Sequence, residues 1–308
     1  MKRRFIVNPT ARNGLVRKQL PRLAKFFSHD FDAVVTASWQ EAAEQTRRAL
    51  HDGVEQIIAI GGDGTLNAVV NGFFENGRVI RADAMLVASN CGTGSDYFRT
   101  VTAGAKRTCW TDLVANHEIR AVDVGCIESL NKKTTPNYFL NIASVGIPSA
   151  IVAKKLHWGL PIPIPSALSY LLPTLRAITS YHPKPVSIRG EDFHYEGDLL
   201  GCFIAKGTFC GGGMKFGGAV ALDDGRFDVT VVGKLTLKEV FQRLPRIYGA
   251  GLQDEEKIRR RSSRWLEIHS ASGLPVEFDG ELRGQTDVRL SVEQQAVRLC
   301  FPRKAAYT

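Results

Sequence analysis

The 308-residue sequence lacks the signatures of several common protein classes. Its six cysteines are scattered without a Cys-x-x-Cys pair, which argues against a disulfide framework or a zinc site and favours free thiols in a reducing compartment. No apolar run reaches the ~18 residues that a membrane-spanning helix needs. Only Phe5 to Val7 separates the basic start from Asn8-Pro9, which is too short for a signal peptide, so we expect a cytoplasmic protein.

The composition that remains is that of an ordinary globular protein. The length suggests two domains, and 44% hydrophobic and 23% charged residues are enough for a sizeable core. The seven histidines show no metal-binding spacing, and no Ser, His and Asp order resembles a hydrolase triad. The net charge of +9 favours an anionic partner: a nucleotide, an acidic lipid head group or nucleic acid.

The sequence is organised around a glycine-rich turn. The short apolar run Glu55 to Ile60 is followed by Gly61, Gly62 and Gly64, and then by a helix-like stretch. Glycines let a bulky anion approach the backbone, and the N-terminus of a following helix attracts negative charge. We interpret the turn as a phosphate loop, with Asp63 requiring a cation nearby. A plain strand-to-helix turn is the alternative, since no Walker A lysine or dinucleotide fingerprint is present.

Strands and helices alternate over the first half of the chain. We predict strands at Arg4 to Val7, Phe31 to Thr36, Glu55 to Ile60 and Ala84 to Ala88, with helices between them, and Pro21 should kink the first helix or delay its start. This order favours a parallel sheet with helices on both faces. The loops at Asn8, Thr36, Gly62 and Thr93 would then meet at the carboxyl edge, where such sheets bind ligands.

Short β-rich runs dominate after about Cys126 and favour a second, mainly antiparallel domain of the sandwich type. Within it, residues 156–165 form an apolar, proline-rich loop, and a helix is expected over 167–178. Residues 257–264 carry five basic side chains. Both stretches could contact an anionic membrane, but a loop packed on its own domain and a solvated surface are the ordinary alternatives. No nucleic-acid recognition motif accompanies the charge, so we expect no nucleic-acid partner.

Five motifs in order resemble the catalytic family of the diacylglycerol kinases, which includes bacterial lipid kinases and the sphingosine and ceramide kinases. The motifs are Asn8-Pro9, Gly61 to Asn67, Gly92 to Asp96, Gly211 to Met214 and Phe278 to Glu281. The resemblance implies an α/β N-terminal domain with a parallel sheet, like that of NAD kinase and phosphofructokinase, and a mainly antiparallel β-sandwich. The expected bounds are 1–125 and 126–293, with residues of about 294–308 returning to the first domain.

The resemblance also implies roles for individual residues. It makes Glu281 the base that accepts the proton of the acceptor hydroxyl, with Asp63 and Asp96 assisting the catalytic metal; Asp96 could equally cap a helix. It makes Ala221, Asp224 and Arg226 the ligands of a structural magnesium ion, where a simple Asp-Gly turn is the alternative. The family usually has Asn where this chain has Ser95, which leaves one contact open. The residues implied for ATP binding are Asn8, Thr36, Gly61, Gly62, Asp63, Gly64, Thr65, Asn67 and Thr93.

The resulting hypothesis is an ATP- and Mg²⁺-dependent kinase that phosphorylates a hydroxyl of diacylglycerol or a related lipid. Its partners would be a lipid substrate at a membrane surface and the membrane itself, contacted peripherally; a homodimer is left open. Two alternatives remain at this point. One is a kinase of a soluble acceptor such as NAD, and the other is a nucleotide-sensing, membrane-binding module without turnover.

Overall fold

The computed structural model describes residues 1–28, 31–103, 108–157, 179–216 and 221–303. The chain divides into two compact units. The first comprises Met1–Val124 and Gln294–Thr308, and the second comprises Gly125–Glu293. Two long strands, His117–Ser129 and Val288–Pro302, contain the residues at which the chain passes from one unit to the other. The first two residues of the loop predicted at 156–165 belong instead to the helix Ile147–His157. The rest of that loop and the helix predicted at 167–178 lie outside the described residues.

The first unit contains the predicted parallel sheet. Strand β1 pairs in parallel with β2 and β3, β3 with β6, and β6 with the end of β17. The order across the sheet is therefore β2, β1, β3, β6 and β17. The strands of this sheet are β1 (Arg3–Val7), β2 (Ala33–Val35), β3 (Gln56–Ile60), β6 (Met85–Ala88) and β17 (Val288–Pro302), and a separate hairpin is formed by β4 (Phe74–Glu75) and β5 (Arg78–Val79).

Every residue of β3 is buried, as expected for the central strand of a sheet that helices cover on both faces. The helices of this unit are α1 (Ala11–Phe27), α2 (Trp39–His51), α3 (Asp63–Gly72), α4 (Asp96–Val101) and α5 (Trp110–Ala115). The prediction for Pro21 was wrong, because α1 continues through it. The break lies earlier, at Arg12 to Gly14, where three successive φ angles are positive.

The second unit is built from antiparallel strands. Strand β11 pairs with three others, β9, β10 and β12. Beyond these, β10 also pairs with β14, and β9 also pairs with β15. Its further strands and helices are β7 (His117–Ser129), β8 (Asn137–Phe139), β9 (Ile142–Gly146), α6 (Ile147–His157), β10 (Lys184–Gly190), β11 (His194–Ala205), β12 (Phe227–Gly233), α7 (Leu237–Ile247), β13 (Ile258–Ser263), β14 (Trp265–His269), β15 (Pro275–Phe278) and β16 (Glu281–Gln285). The fold class predicted from the sequence is confirmed.

The buried side chains of the second unit form two apolar clusters. Phe139, Phe227 and Phe278 belong to the larger one, and the first two rings stack with 5.8 Å between their centroids. Gly125 has no side chain here because a Cβ atom would lie 2.2 Å from the Phe139 ring. The larger cluster supports β15 and β16, which carry the Asp-Gly-Glu motif.

Two features were not evident from the sequence. Residues 288–302 form one continuous strand, β17. The basic run folds as β13 and is paired with carboxylates: Lys257 with Glu239, Arg260 with Asp228, Arg261 with Asp254, and Arg264 with Glu191. The carboxylates offset most of the positive charge of this run, so it offers an anionic membrane much less attraction than the sequence suggests.

Helix α7 was not predicted, although its apolar residues recur at the spacing of an amphipathic helix: Leu237, Val240, Phe241, Leu244 and Ile247. Thr236 and Glu239 form a reciprocal capping box at its start, in which each side chain bonds the backbone of the other residue. Leu237 and Phe241, one turn apart, remain exposed. Within the described residues, no helix is long and apolar enough to cross a membrane.

Candidate active site

The carboxyl edge of the parallel sheet brings together the polar loops that the sequence predicts there. The backbone N–H of Asn8 donates to the carbonyl of Ile60 at 3.0 Å, which joins the ends of β1 and β3. The side-chain amide of Asn8 donates to the Thr65 hydroxyl at 3.2 Å. Thr36 follows β2, and its N–H donates to the carbonyl of Val7 at 2.9 Å. Three strands thus place their following polar residues at one edge.

The glycine-rich turn after β3 lies directly against the loop after β6. A Cβ atom built on Gly92 would lie 2.2 Å from the Cα of Gly62, so there is no room for a side chain at this contact. A Cβ on Gly61 would lie 2.2 Å from the Thr65 hydroxyl oxygen. The Ser89 hydroxyl ties the two segments further, accepting from the N–H of Gly61 at 3.1 Å and donating to its carbonyl at 3.2 Å. The glycines are therefore required by packing as well as by any phosphate.

Asp63 begins α3 and also caps α4. Its carboxylate accepts hydrogen bonds from the backbone N–H groups of Asp96 and Tyr97, both at 3.1 Å. Burial raises the pKa of Asp63 above its usual value, although these N–H donors lower it in part. The N-termini of two helices therefore stabilise the charge of this carboxylate in part. A metal role for Asp63 stays a prediction.

The loop from Gly92 to Asp96 presents one exposed residue, Thr93. Asp96 is buried, and its Oδ1 accepts from the Arg99 guanidinium at 2.7 Å. The Oδ2 atoms of Asp96 and Asp63 both face Gly94, at 3.4 and 3.5 Å from the position of a Cβ there. Two carboxylate oxygens on one side of an exposed loop are the kind of donor that a hard cation prefers.

Ser95 adopts a left-handed backbone conformation with φ of 49°. Asn is among the residues that tolerate this conformation best, which gives a physical reason for the Asn that the family usually has at this position. The Ser95 hydroxyl accepts a hydrogen bond from the N–H of Gly92 at 3.1 Å. Ser95 therefore stabilises its own loop.

Two of the predicted ATP-binding side chains have structural partners. The hydroxyl of buried Thr36 donates to the carbonyl of Val7 at 3.2 Å. The side-chain oxygen of Asn67 accepts from the indole N–H of Trp39 at 2.9 Å, and Asn67 is fully buried. Four of the other predicted residues differ: Gly61, Gly62 and Gly64 have no side chain to be held in this way, and Thr93 is exposed. The structure leaves all nucleotide contacts as predictions.

The Asp-Gly-Glu motif in the second unit is a tight hairpin. Phe278 pairs with Glu281, so Asp279 and Gly280 alone form the turn, and both have positive φ. This is the type I′ arrangement that favours Asp-Gly. The buried Asp279 carboxylate accepts hydrogen bonds from the N–H groups of Leu140, Asn141 and Ile142, each at 3.0 Å. Asp279 therefore stabilises the turn, and Glu281 is the residue of the motif whose carboxylate remains available for catalysis.

Glu281 follows this rigid turn with its side chain 37% exposed. Burial raises the pKa of Glu281, and the Arg283 guanidinium, 3.8 Å away, opposes the shift. A raised pKa brings a carboxylate closer to what a general base needs near neutral pH. The partial exposure and the raised pKa of Glu281 suit the role of general base, which stays a prediction.

Glu277 is a second carboxylate of this hairpin that sequence reasoning missed. Its oxygens accept from the Ser144 hydroxyl and from the N–H of Gly280. Burial, reinforced by the charges of Asp279 and Glu281, raises the pKa of Glu277 to about 7 despite these two donors. Glu277 precedes Phe278 by one residue, and an acidic residue inside an apolar strand was the available signal.

The three predicted ligands of the structural metal do converge on one point, but a lysine occupies it. The Lys206 ammonium donates to the carbonyl of Ala221 at 2.9 Å, to the carboxylate of Asp224 at 3.0 Å and to the carbonyl of Arg226 at 2.8 Å. A metal ion does not fit these three oxygens while the ammonium is present. Lys206 ends the buried run Leu199 to Lys206, which was the sequence signal for an unusual lysine.

Comparison with known families covers nearly the whole chain. Residues 2–127 match the model described as "Diacylglycerol kinase catalytic domain", and residues 144–301 match the one described as "YegS C-terminal NAD kinase beta sandwich-like domain". Proteins called "Probable lipid kinase YegS-like" are 28% identical over 88% of this chain in Pseudomonas aeruginosa and 27% identical over 88% in Stenotrophomonas maltophilia, and the match spans 85% and 86% of those chains.

The fold also matches solved structures. A crystal structure of a diacylglycerol kinase from Bacillus anthracis superposes with a TM-score of 0.71 at 20% identity, covering 98% of this chain and 97% of that one. The parallel α/β unit with its glycine-rich loop contains most of the first matched region, and the β-sandwich unit with its Asp-Gly-Glu hairpin contains most of the second. The chain belongs to the diacylglycerol kinase catalytic-domain family and is an ATP-dependent lipid kinase.

The contact between Gly62 and Gly92 predicts a selective effect of a single methyl group. We expect Gly92→Ala to lower the free energy of unfolding by about 1–3 kcal/mol, because the methyl group forces the two loops apart. Gly94→Ala is the control, since its Cβ would meet only ordinary contacts at 3.4 Å or more. Urea unfolding measures both, and equal stabilities of the two variants would contradict the packing argument.

The raised pKa of Glu277 predicts a pH-dependent stability. Between about pH 4.5 and 7 the folded state holds a proton that the unfolded state releases, so this group makes the protein less stable as the pH rises through that window. Above it, Glu277→Gln should be more stable than the parent by up to about 3 kcal/mol, because Gln avoids a buried charge. Urea unfolding at about pH 5 and about pH 8 measures the difference, and a difference independent of pH would refute the assignment.

Proposed function

We propose that this protein transfers the γ-phosphoryl group of ATP to a hydroxyl of diacylglycerol or a related lipid, with Glu281 as general base. The observation that carries the proposal is the hairpin at 278–281, in which Asp279 accepts three backbone N–H groups and Glu281 emerges half-exposed with a raised pKa. Phosphoryl transfer needs a base oriented toward the acceptor hydroxyl more than it needs covalent chemistry. A rigid turn supplies that orientation.

The nucleotide side of the proposal rests on the edge of the parallel sheet. The glycine-rich segments at 61–64 and 92–94 lie against each other at this edge, and Thr93 is exposed beside them. We propose that the backbone of these segments and the Thr93 hydroxyl bind the phosphates of ATP, and that Asp63 and Asp96 hold the divalent cation, Mg²⁺. When bound, that cation screens the charge of the phosphates. Transfer requires Glu281 to lie beside an acceptor hydroxyl that faces the γ-phosphate of this ATP, and that arrangement stays a prediction.

The role of Glu281 is tested by Glu281→Gln. We expect turnover to fall by roughly 10²–10⁴-fold, because the amide cannot accept the hydroxyl proton. ATP affinity, measured by calorimetry, should be unchanged. The control is Glu267→Gln, which alters an ion pair between Glu267 on β14 and Arg289 on β17; this variant should turn over normally. In the parent, kcat/KM should rise with pH through the raised pKa of Glu281 and then level off.

The acceptor is identified in the same assay by offering diacylglycerol, sphingoid bases, other lipid alcohols and NAD with radiolabelled ATP. Transfer to a lipid alone supports the proposal. Transfer to NAD would make the protein a kinase of a soluble acceptor, and ATP binding without transfer to any acceptor would make it a nucleotide sensor. Normal turnover of Glu281→Gln would remove the proposed mechanism but leave the acceptor result standing.

We also propose a cytoplasmic enzyme that contacts the membrane peripherally, through the exposed face of α7. Leu237 and Phe241 are 49% and 47% exposed and lie one helical turn apart, with exposed Lys238 between them. Apolar side chains flanked by a lysine suit insertion into an anionic lipid surface. This face is favoured over the basic run 257–264, because four of the five basic side chains of that run are paired with carboxylates.

Cosedimentation with anionic phospholipid vesicles tests this contact. Each inserted side chain should contribute on the order of 1 kcal/mol, so the double variant Leu237→Ser, Phe241→Ser should bind about tenfold or more weakly. Ile119→Ser, which changes an exposed apolar residue of β7, is the control and should bind like the parent. Equal binding by all three proteins would exclude α7 as the contact.

A further inference from the structure

A fully buried lysine ammonium lies where the resemblance predicts a metal ion. Lys206 follows β11, and its side chain has no solvent exposure. Its Nζ is 2.8–3.0 Å from the carbonyl oxygens of Ala221 and Arg226 and from the carboxylate of Asp224. These are the three groups that the resemblance assigns to a structural cation. We propose that Lys206 is the built-in cation of this turn, and that the turn binds no divalent metal.

The geometry matches an ammonium better than a metal ion. Lysine has three N–H donors, and three acceptor oxygens surround this one at distances normal for N–H···O hydrogen bonds. A magnesium ion requires oxygen atoms at about 2.0–2.1 Å, and a calcium ion at about 2.3–2.6 Å. The oxygens would have to move inward and the ammonium would have to leave before either ion could bind.

The charges also fit. A buried ammonium needs a counter-charge and hydrogen-bond acceptors, and here one carboxylate and two carbonyl groups supply them. The carboxylate of Asp224 accepts in addition from the N–H of Arg226 at 3.0 Å, so it shapes the turn from within. The charge of Lys206 thus holds the turn at residues 221–226 against the end of β11.

The same lysine is joined to the proposed catalytic hairpin through the backbone. The N–H of Lys206 donates to the carbonyl of Asn141 at 2.8 Å, and the N–H of Asn141 donates to the carboxylate of Asp279. The turn that Lys206 closes therefore belongs to one hydrogen-bonded framework with Asp279. Because the cation is covalently attached, chelation cannot remove it from this framework.

Thermal unfolding of the full chain without nucleotide tests the proposal. The parent protein should have the same Tm in chelator and in millimolar Mg²⁺ or Ca²⁺. Lys206→Met keeps the length of the side chain but removes the fully buried charge, and should lower the Tm by about 6–10 °C because the carboxylate of Asp224 and two backbone carbonyls lose their common donor. Lys257→Met is the control: it removes an exposed ion pair with Glu239 and should change the Tm by less than about 2 °C.

Lys206→Ala sharpens the test, because it leaves space at the three oxygens. We expect this variant, unlike the parent, to gain thermal stability from Mg²⁺ or Ca²⁺, and the gain to disappear when Asp224→Asn is added. A Tm of the parent that rises with either ion, and no longer does so in Asp224→Asn, would overturn the proposal. So would a loss in Lys206→Met no larger than that in Lys257→Met.

If the Lys206 variants do not fold, calorimetric titration of the parent and of Asp224→Asn with Mg²⁺ and Ca²⁺ decides the matter. Binding of an ion by the parent that Asp224→Asn abolishes would show that the turn takes a metal. Identical titrations of the two proteins would support the lysine as its cation. Neither readout depends on kinase activity, so a failure here leaves the proposed function untouched.

Discussion

The contact between two glycine backbones is the constraint on which the first unit depends. The Cα of Gly62 and that of Gly92 are so close that a single methyl group has no room between the loops that follow β3 and β6. This approach is what allows Asp63 to reach the first N–H groups of α4. Glycine at these positions serves protein packing first, and the accessible backbone that could meet a phosphate is a consequence of it.

Acidic residues in this protein divide into those that hold loops and those that are left for chemistry. Asp63 and Asp279 both accept backbone N–H groups of a neighbouring segment, and in each case the carboxylate sits next to a glycine within a motif. Their role is to stabilise turns whose N–H groups would otherwise lack partners. Glu281 differs from them, because its side chain is 37% exposed and lies 3.8 Å from the Arg283 guanidinium. The Asp-Gly-Glu motif thus contains both the residue that stabilises the turn, Asp279, and the candidate catalytic residue, Glu281.

Cationic residues show a similar division. The basic run at 257–264 is prominent in the sequence, yet its side chains are mostly paired with carboxylates on the surface of the second unit. Lys206 is inconspicuous in the sequence, yet it is the fully buried cation around which the turn at 221–226 is arranged. Charge density along a sequence is therefore a weaker guide to binding than the burial of one charged group.

The sequence by itself determined the alternation of strands and helices in the first unit, the glycine turns after the strands, the family, and the turn that carries Glu281. Each of these depends on local spacing or on motifs a few residues long. Only the tertiary structure decided which motif residues are structural, since the partners of Asp63 and Asp279 lie 33 to 139 residues away in the chain. It also decided that a lysine occupies the predicted metal position. The contact of Lys206 with Arg226, 20 residues away, leaves no periodic trace in the sequence, because two of the three acceptors of this lysine are backbone carbonyls whose residue type is irrelevant.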